Sequence, residues 1–357
     1  MRELRARSAH IGSWSNKRIL MLGPFGEALA PQQGKLLAPH LVARGARVTL
    51  VSDRGRPAVR FAHIVLHALF WVWRYDVVVV QVYSGRAFCY AALSALFARM
   101  WGTRVVGFLR GGALPALACK RPVFTAFALR LFDALIAPSP FLQRELGRAV
   151  PLKDCQVIPN LIDLAHYAYR PRIPPRPKLL WLRCFHPIYN PLMALDVYRR
   201  LRERIPDVSL TFCGISDIEL AEVLGTIKQP GYEGVRYLGR IPKEKVPAVI
   251  DECDVYLNTN RVDNMPVTVL EMWASGVPVV ATDVGGIADL VRDGENGLLV
   301  PSEDAQAMSD AVIRLLTDEC LTAKIIAGGR EYVSRCTFDH ICDELARAFF
   351  PKTGGRE

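Results

Sequence analysis

Short runs of Val, Ile and Leu alternate along the chain with longer stretches of mixed apolar and polar residues. RILMLGP (18–24), RVTLVSD (47–53), DVVVVQVY (76–83), RVVGFLRGG (104–112), ALIAPS (134–139) and QVIPN (156–160) read as strands. The segments 31–45, 58–73, 88–101 and 122–132 read as the helices between them. Strands of near-continuous branched apolar residues that alternate with helices predict a parallel sheet covered on both faces. The pattern breaks at YAYRPRIPPRPK (167–178), where four prolines and no helical period predict an interdomain linker. It restarts with KLLWLRCF (178–185), SLTFCG (209–214), VRYLGRI (235–241), DVYLNTN (254–260), PVVAT (278–282) and GLLV (297–300). Helical segments over 304–350 end the chain, the last long enough to cross back onto the first domain. The fold class is therefore α/β, with two tandem Rossmann-like, doubly wound domains at 18–166 and 179–335. A basic arm (1–17) precedes them and a terminal helical segment (336–357) follows. In such sheets ligands bind beyond the carboxyl ends of the strands, so two such domains are expected to face a shared cleft.

Composition narrows the class. At 357 residues and 51% hydrophobic, the chain has enough apolar mass for two cores and is too apolar to be disordered. Its +10 charge is uneven: residues 1–170 hold 23 Lys and Arg against 8 Asp and Glu, whereas residues 171–357 hold 22 against 27. A basic first half suggests an anionic partner, either a membrane surface or a phosphorylated ligand. Nucleic acid is disfavoured, because no helix-turn-helix, zinc-finger or RNA-binding strand motif is present. Nine scattered cysteines with no C-x-x-C pair, and no apolar secretory leader, fit a reducing cytoplasm. AVRFAHIVLHALFWVW (58–73) is apolar but interrupted by Arg60, His63 and His67. It is too short and too broken to span a bilayer, and reads either as a buried helix or as one lying in a membrane interface.

The most chemically suggestive segment is DNMPVTVLE (263–271), followed by MWASGVPVVATDVGG. Pro266 suits a first helical turn, because its missing N–H would go unpaired there anyway. The free N–H groups of that turn favour an anion in front of it. Asp263 lies on the loop before the helix and Glu271 roughly one and a half turns into it. The two acids are therefore placed to reach two polar groups of one ligand, or to serve as a cap and a surface acid.

The segment DVYLNTNRVDNMPVTVLEMWASGVPVVATDVGGIADLVRDGENGLLV resembles the donor site of the retaining GT-B glycosyltransferases of glycosyltransferase family 4. VIPNLID (157–163), SPFLQREL (139–146) and VRYLGRIP (235–242) match further family features in order, so that the resemblance covers roughly 134–317. It implies transfer of a hexosyl group, with retention, from a UDP- or GDP-linked sugar to a glycan or lipid-linked acceptor. It implies no cofactor beyond that co-substrate and no metal, consistent with the absence of any D-x-D. Carried over residue by residue, Glu271 would bind the ribose hydroxyls and Asp263 the transferred sugar, where the family usually has Glu. Arg183 would bind the diphosphate together with N–H groups near Asn264, Met265, Val267 and Thr268. Pro266 stands where Gly is frequent and supplies no N–H. The Lys that the family carries about five residues after Arg183 is missing from FHPIYNP; Asn190, His186 and Arg261 are the candidates to fill its place. The base would lie near Gly214 and the backbone of Tyr237 to Arg240.

The first domain is expected to bind the acceptor. Its loop GPFGEALAPQQGK (23–35) places Gly23, Gly26, Gln33 and Gly34 between a strand and a helix. Arg110, ahead of Gly111 and Gly112, stands near the position where relatives carry a His. An Arg cannot act as a base at neutral pH, but it can hold a phosphate or sugar oxygens. His63, His67 and His186 read as structural. A GT-B nucleotide-sugar epimerase and a non-catalytic nucleotide-sugar-binding partner protein remain open as alternatives. The expected location is cytoplasmic, with peripheral contact at the inner membrane face.

Overall fold

A computed structural model describes residues 14–25, 33–52, 56–214 and 219–351. The chain divides into two compact units, Met1–Leu161 with Phe338–Glu357, and Ile162–Thr337. Each has a six-stranded, wholly parallel sheet, so both are Rossmann-like.

In the first unit the strands are β1 (Arg18–Leu22), β2 (Arg47–Val51), β3 (Val77–Val82), β4 (Arg104–Leu109), β5 (Ala134–Ala137) and β6 (Cys155–Val157). Their order is β2-β1-β3-β4-β5-β6. All six residues of β3 are buried, as a central strand with helices on both faces requires. Side chains alternate between the two faces. Leu20, Val78 and Val80 pack with Ala68, Ala91 and Ala95, whereas Ile19, Val77 and Val79 pack with Leu37, Leu41, Ile341 and Leu345. The terminal helix Phe338–Phe349 thus belongs to the first unit. There Ala348 O accepts from Arg104 Nε and Nη2 at 3.2 and 2.9 Å.

The second unit has β7 (Lys178–Leu182), β8 (Ser209–Cys213), β9 (Val235–Tyr237), β10 (Val255–Asn258), β11 (Val279–Thr282) and β12 (Leu298–Val300). The order β12-β11-β10-β7-β8-β9 reverses between β7 and β10. At such a reversal the two following loops leave in opposite directions and open a crevice at the strands' carboxyl ends.

Two expectations are corrected. Residues 1–13 of the proposed arm lie outside the described residues, but its end is packed: Trp14 is fully buried, edge-on to Phe349 with ring centroids 5.7 Å apart. An indole with aromatic rings to pack against gains more from burial than from solvent. The proline-rich 167–178 segment lies within the second unit, and the division falls before it, at Leu161/Ile162. Arg170 N–H and Arg172 N–H donate to Ser275 O and Gly276 O at 3.1 and 3.2 Å, capping the end of the helix Val267–Ser275. Gly276 is required there: its φ is +75°, and a Cβ would lie 2.8 Å from Arg170 O. The Arg172 side chain is buried, with Nη2 bonded to Ile250 O at 3.2 Å and Asp251 Oδ1 at 3.2 Å.

Trp14→Ala is expected to destabilise the first unit by about 3–5 kcal/mol, the usual cost of emptying a buried aromatic site. Urea unfolding of the full chain measures it, and an unchanged midpoint would show that the segment is a dispensable arm.

Candidate functional site

The order reversal of the second sheet gathers the segments after β7 and β10. Arg183 is the first residue beyond β7, its backbone N–H held by Cys213 O at 3.1 Å. Its guanidinium lies 4.5 Å from the ring centre of Tyr189 and forms an ion pair with Asp263. Both side chains are mostly shielded, and Arg183 Nε is buried without a hydrogen-bond partner. Such an unpaired donor is costly unless a ligand meets it.

Asp263 is fixed from three sides. Asn260 Nδ2 donates to Oδ2 at 2.7 Å, Asn264 N–H donates to Oδ1 at 2.7 Å, and Gly286 N–H donates to the Asp263 carbonyl at 2.9 Å. Gly286 must be glycine, because a Cβ would sit 1.9 Å from Asn264 O. The Gly-Gly turn therefore sets the loop in front of the helix. Thr259 ties that loop to the segment after β7, its one hydroxyl proton shared between the carbonyls of Tyr189 and Asn190, each 2.8 Å away.

Pro266 is the N-cap of the helix Val267–Ser275, with no side chain capping the first turn. Thr268 Oγ1 accepts from Tyr256 Oη at 2.9 Å, so its hydroxyl is already engaged. Met265 and Asn264 are buried. Glu271 is only 4% exposed, and Tyr167 Oη donates to its Oε1 at 2.9 Å. Burial raises its pKa above the ordinary carboxyl value, against the opposing effects of the Tyr167 bond, Lys243 and Arg183. Burial also lowers the pKa of Lys243, while Glu271 favours its charged form. Tyr167 and Lys243 were not identified from sequence. Tyr167 falls in the presumed linker and Lys243 in a Lys-rich turn, and no spacing connects either to Glu271.

The candidates for the missing lysine have other partners. Asn190, at φ +49°, accepts from Met193 N–H at 3.3 Å and donates to Glu303 at 3.1 Å. Arg261 pairs with Glu303 at 2.5 Å, and His186 Nδ1 accepts from Ile188 N–H at 3.2 Å. Gly214 N–H donates to Gly239 O at 3.0 Å, and Arg240 is exposed.

The first unit places Arg110 just past β4, with its N–H on Val82 O at 2.8 Å. Its Nε donates to Gln81 at 3.0 Å and its Nη1 to Asn160 Oδ1 at 2.6 Å. Burial lowers its pKa to about 10, so it stays cationic at neutral pH. The close approaches expected for a ligand at Gly23 and Gly34 are taken up internally: a Cβ at either would meet Gln81 or Phe25 at 2.7 Å. Gln33 is likewise a structural clamp, buried, donating to Leu161 O at 3.1 Å and accepting from Leu161 N–H at 2.6 Å. Gly26 lies outside the described residues. Gly111, at φ +86°, is exposed and Gly112 half-buried. His63 Nδ1 lies 3.0 Å from Ser52 Oγ, and burial lowers the His67 pKa.

Two such Rossmann-like units, each built on a six-stranded parallel sheet, define the GT-B class. The chain matches the families described as Glycosyltransferase Family 4 over residues 31–166 and Glycosyl transferases group 1 over 176–318. It belongs to the GT-B, group 1 glycosyltransferase family. It is 30% identical over 203 residues to the phosphatidyl-myo-inositol mannosyltransferase of Mycobacterium leprae, covering 55% of this chain and 53% of that one. It is 29% identical over 172 residues to the D-inositol 3-phosphate glycosyltransferase of Corynebacterium urealyticum, covering 45% and 39%. The chain spans about half the length of the curated relatives it matches. The fold is similar to that of Anabaena HepE in complex with UDP-glucose, with a TM-score of 0.73, 18% identity and coverage of 92% and 98%.

Tyr167→Phe removes a hydrogen bond that favours the carboxylate, so it is expected to raise the Glu271 pKa further and to cost about 0.5–1.5 kcal/mol, the net worth of a typical intramolecular hydrogen bond. Carboxyl NMR titration and urea unfolding measure the two effects. Because the folded Glu271 pKa lies above its ordinary 4.5, its effect on stability becomes unfavourable as pH rises through the interval between those values. Glu271→Gln is therefore expected to gain stability relative to the parent chain on going from acid to neutral pH. A pH-independent difference between the two would contradict this.

Proposed function

We propose that the chain is a retaining glycosyltransferase that moves a hexosyl group from a UDP- or GDP-linked sugar to a hydroxyl of a glycan or lipid-linked acceptor, in cell-surface polysaccharide or glycolipid synthesis. The observation that carries this is the convergence of Arg183, Asp263 and Glu271 around the start of the helix Val267–Ser275. In this reading the diphosphate lies before the helix and meets Arg183 and the N–H groups of Val267 and Thr268. Glu271 accepts hydrogen bonds from the ribose, and Asp263 from the sugar hydroxyls. The donor displaces Asp263 from Arg183, so an internal ion pair is exchanged for one with the leaving group.

The sugar C1–O bond to the diphosphate breaks while the acceptor oxygen bonds C1 on the same face. The departing phosphate takes the acceptor proton, and the nucleoside diphosphate leaves. Arg183 supplies positive charge where negative charge develops, so that this scheme requires neither a protein nucleophile nor a metal. Arg110 would orient acceptor oxygens as a fixed cation. The inositol-linked acceptors in the relatives' names support a lipid-linked or polyol acceptor here, and the UDP-glucose complex of the HepE protein supports a uridine donor.

One observation favours a second reading, a non-catalytic nucleotide-sugar binder: Arg261 is held by Glu303 rather than supplying a second charge beside Arg183. A thermal-shift panel of UDP-, GDP- and ADP-sugars identifies the donor, since only nucleotides that bind the folded chain raise its midpoint. With that donor and a lipid-linked or polyol acceptor, Arg183→Ala is expected to lower turnover about 100-fold or more. Glu271→Ala is expected to abolish donor binding. Donor binding without turnover on any acceptor would favour the binder.

A further inference from the structure

Five large apolar side chains of the first unit stand together in solvent: Phe70 (55% exposed), Trp71 (41%), Trp73 (52%), Met100 (68%) and Trp101 (52%). They come from the ends of the helices Pro57–Phe70 and Arg86–Met100 and from the residues that follow. Trp101 Nε1 donates to Leu69 O at 2.9 Å, which joins the two helix ends. Trp73 Nε1 donates to Phe70 O at 3.0 Å. With these two indole N–H groups satisfied within the chain, the surface left to solvent is largely hydrocarbon. Along the first helix the exposed row continues through Leu66 and Val59, while Ile64, Ala68 and Val72 point into the core. The expectation of a helix either buried or interfacial thus resolves into one with a buried stripe and a bare apolar stripe. The second helix adds Met100 and Trp101, which lie outside the 58–73 segment.

Charge selects the occupant. Residues 56–132 hold ten Arg and Lys against one acid, Asp76, which is paired with Arg18 at 3.3 Å; the next acid, Asp133, is paired with Arg99 at 3.7 Å. Arg74 is exposed beside the cluster, its guanidinium 5.1 Å from the Trp73 ring. A second copy docking through this face would bring like charges together. A bilayer with anionic headgroups satisfies both features, since Trp partitions to the headgroup level and each basic residue is drawn to the surface. Among the described residues no helix is long and apolar enough to cross a membrane, so the contact is one of lying on the surface.

We propose that this face docks the chain on an anionic lipid surface, with the Pro57–Phe70 helix in the interfacial plane and the three tryptophans at headgroup depth. The proposal does not depend on donor chemistry. Flotation with phosphatidylcholine vesicles, with and without phosphatidylglycerol, tests it. The chain is expected to float only with the anionic vesicles at low salt, with a blue shift in tryptophan emission, and to release at high salt. Phe70→Ser combined with Met100→Ser is expected to abolish flotation. Arg74→Glu, which removes one positive charge and adds a negative one, should weaken it roughly tenfold or more, given about fivefold per charge. Both variants should keep the parent's circular dichroism and nucleotide-induced thermal shift, which separates loss of docking from loss of the donor site. Absence of flotation by the parent chain at low salt would overturn the proposal, as would variants that float like the parent. So would a dimer in sedimentation, without lipid, that Phe70→Ser with Met100→Ser dissociates.

Discussion

A carboxylate shut away from water must be given partners, and the second unit supplies them to Glu271 from distant parts of the chain. Every residue from Val269 to Ser275 is buried, so the helix carrying Glu271 runs through the interior. Tyr167 reaches it from a segment that caps the end of the same helix, and Lys243 and Arg183 oppose the burial with positive charge. Removing water strengthens each of these interactions and makes each unsatisfied group more expensive. The buried Nε of Arg183 is such a group, and it lies where the proposed leaving group would be met.

The two units solve different problems with the same sheet. In the second, the reversal between β7 and β10 brings Arg183 and Asp263 together, and glycine at 286 lets the loop settle against the backbone of Asn264. In the first, the corresponding loop glycines admit Gln81 and Phe25, and Gln33 fastens Leu161. There the half-buried cation Arg110, held by Gln81 and Asn160, is a polar feature at the strand ends. The terminal helix Phe338–Phe349 completes that unit's core, so the first fold requires residues from both ends of the sequence.

Much of the candidate site was legible in sequence because its signals are local. Pro266 at a helix start, a Gly-Gly turn and an acid on either side of the first turn lie within a few dozen residues. Tyr167 and Lys243 were not legible, since their link to Glu271 spans 104 and 28 positions and leaves no periodic trace. The partners of Asn190 and Arg261 were hidden for a related reason: sequence shows that an amide and a guanidinium are available, but not that Glu303 holds both. The proline-rich segment read as a linker because proline interrupts helices. Its backbone N–H groups instead cap a helix, which only the packed unit reveals.

The sequence by itself determined the two parallel α/β units, the helix beginning after Pro266 and the positive charge of the first half. Strand runs, turn residues and charge are properties of neighbouring positions. The tertiary structure decided which polar side chains meet, where the terminal helix belongs and which stripe of the 57–70 helix faces solvent. Those outcomes depend on burial, and burial is set by contacts between residues far apart in the chain.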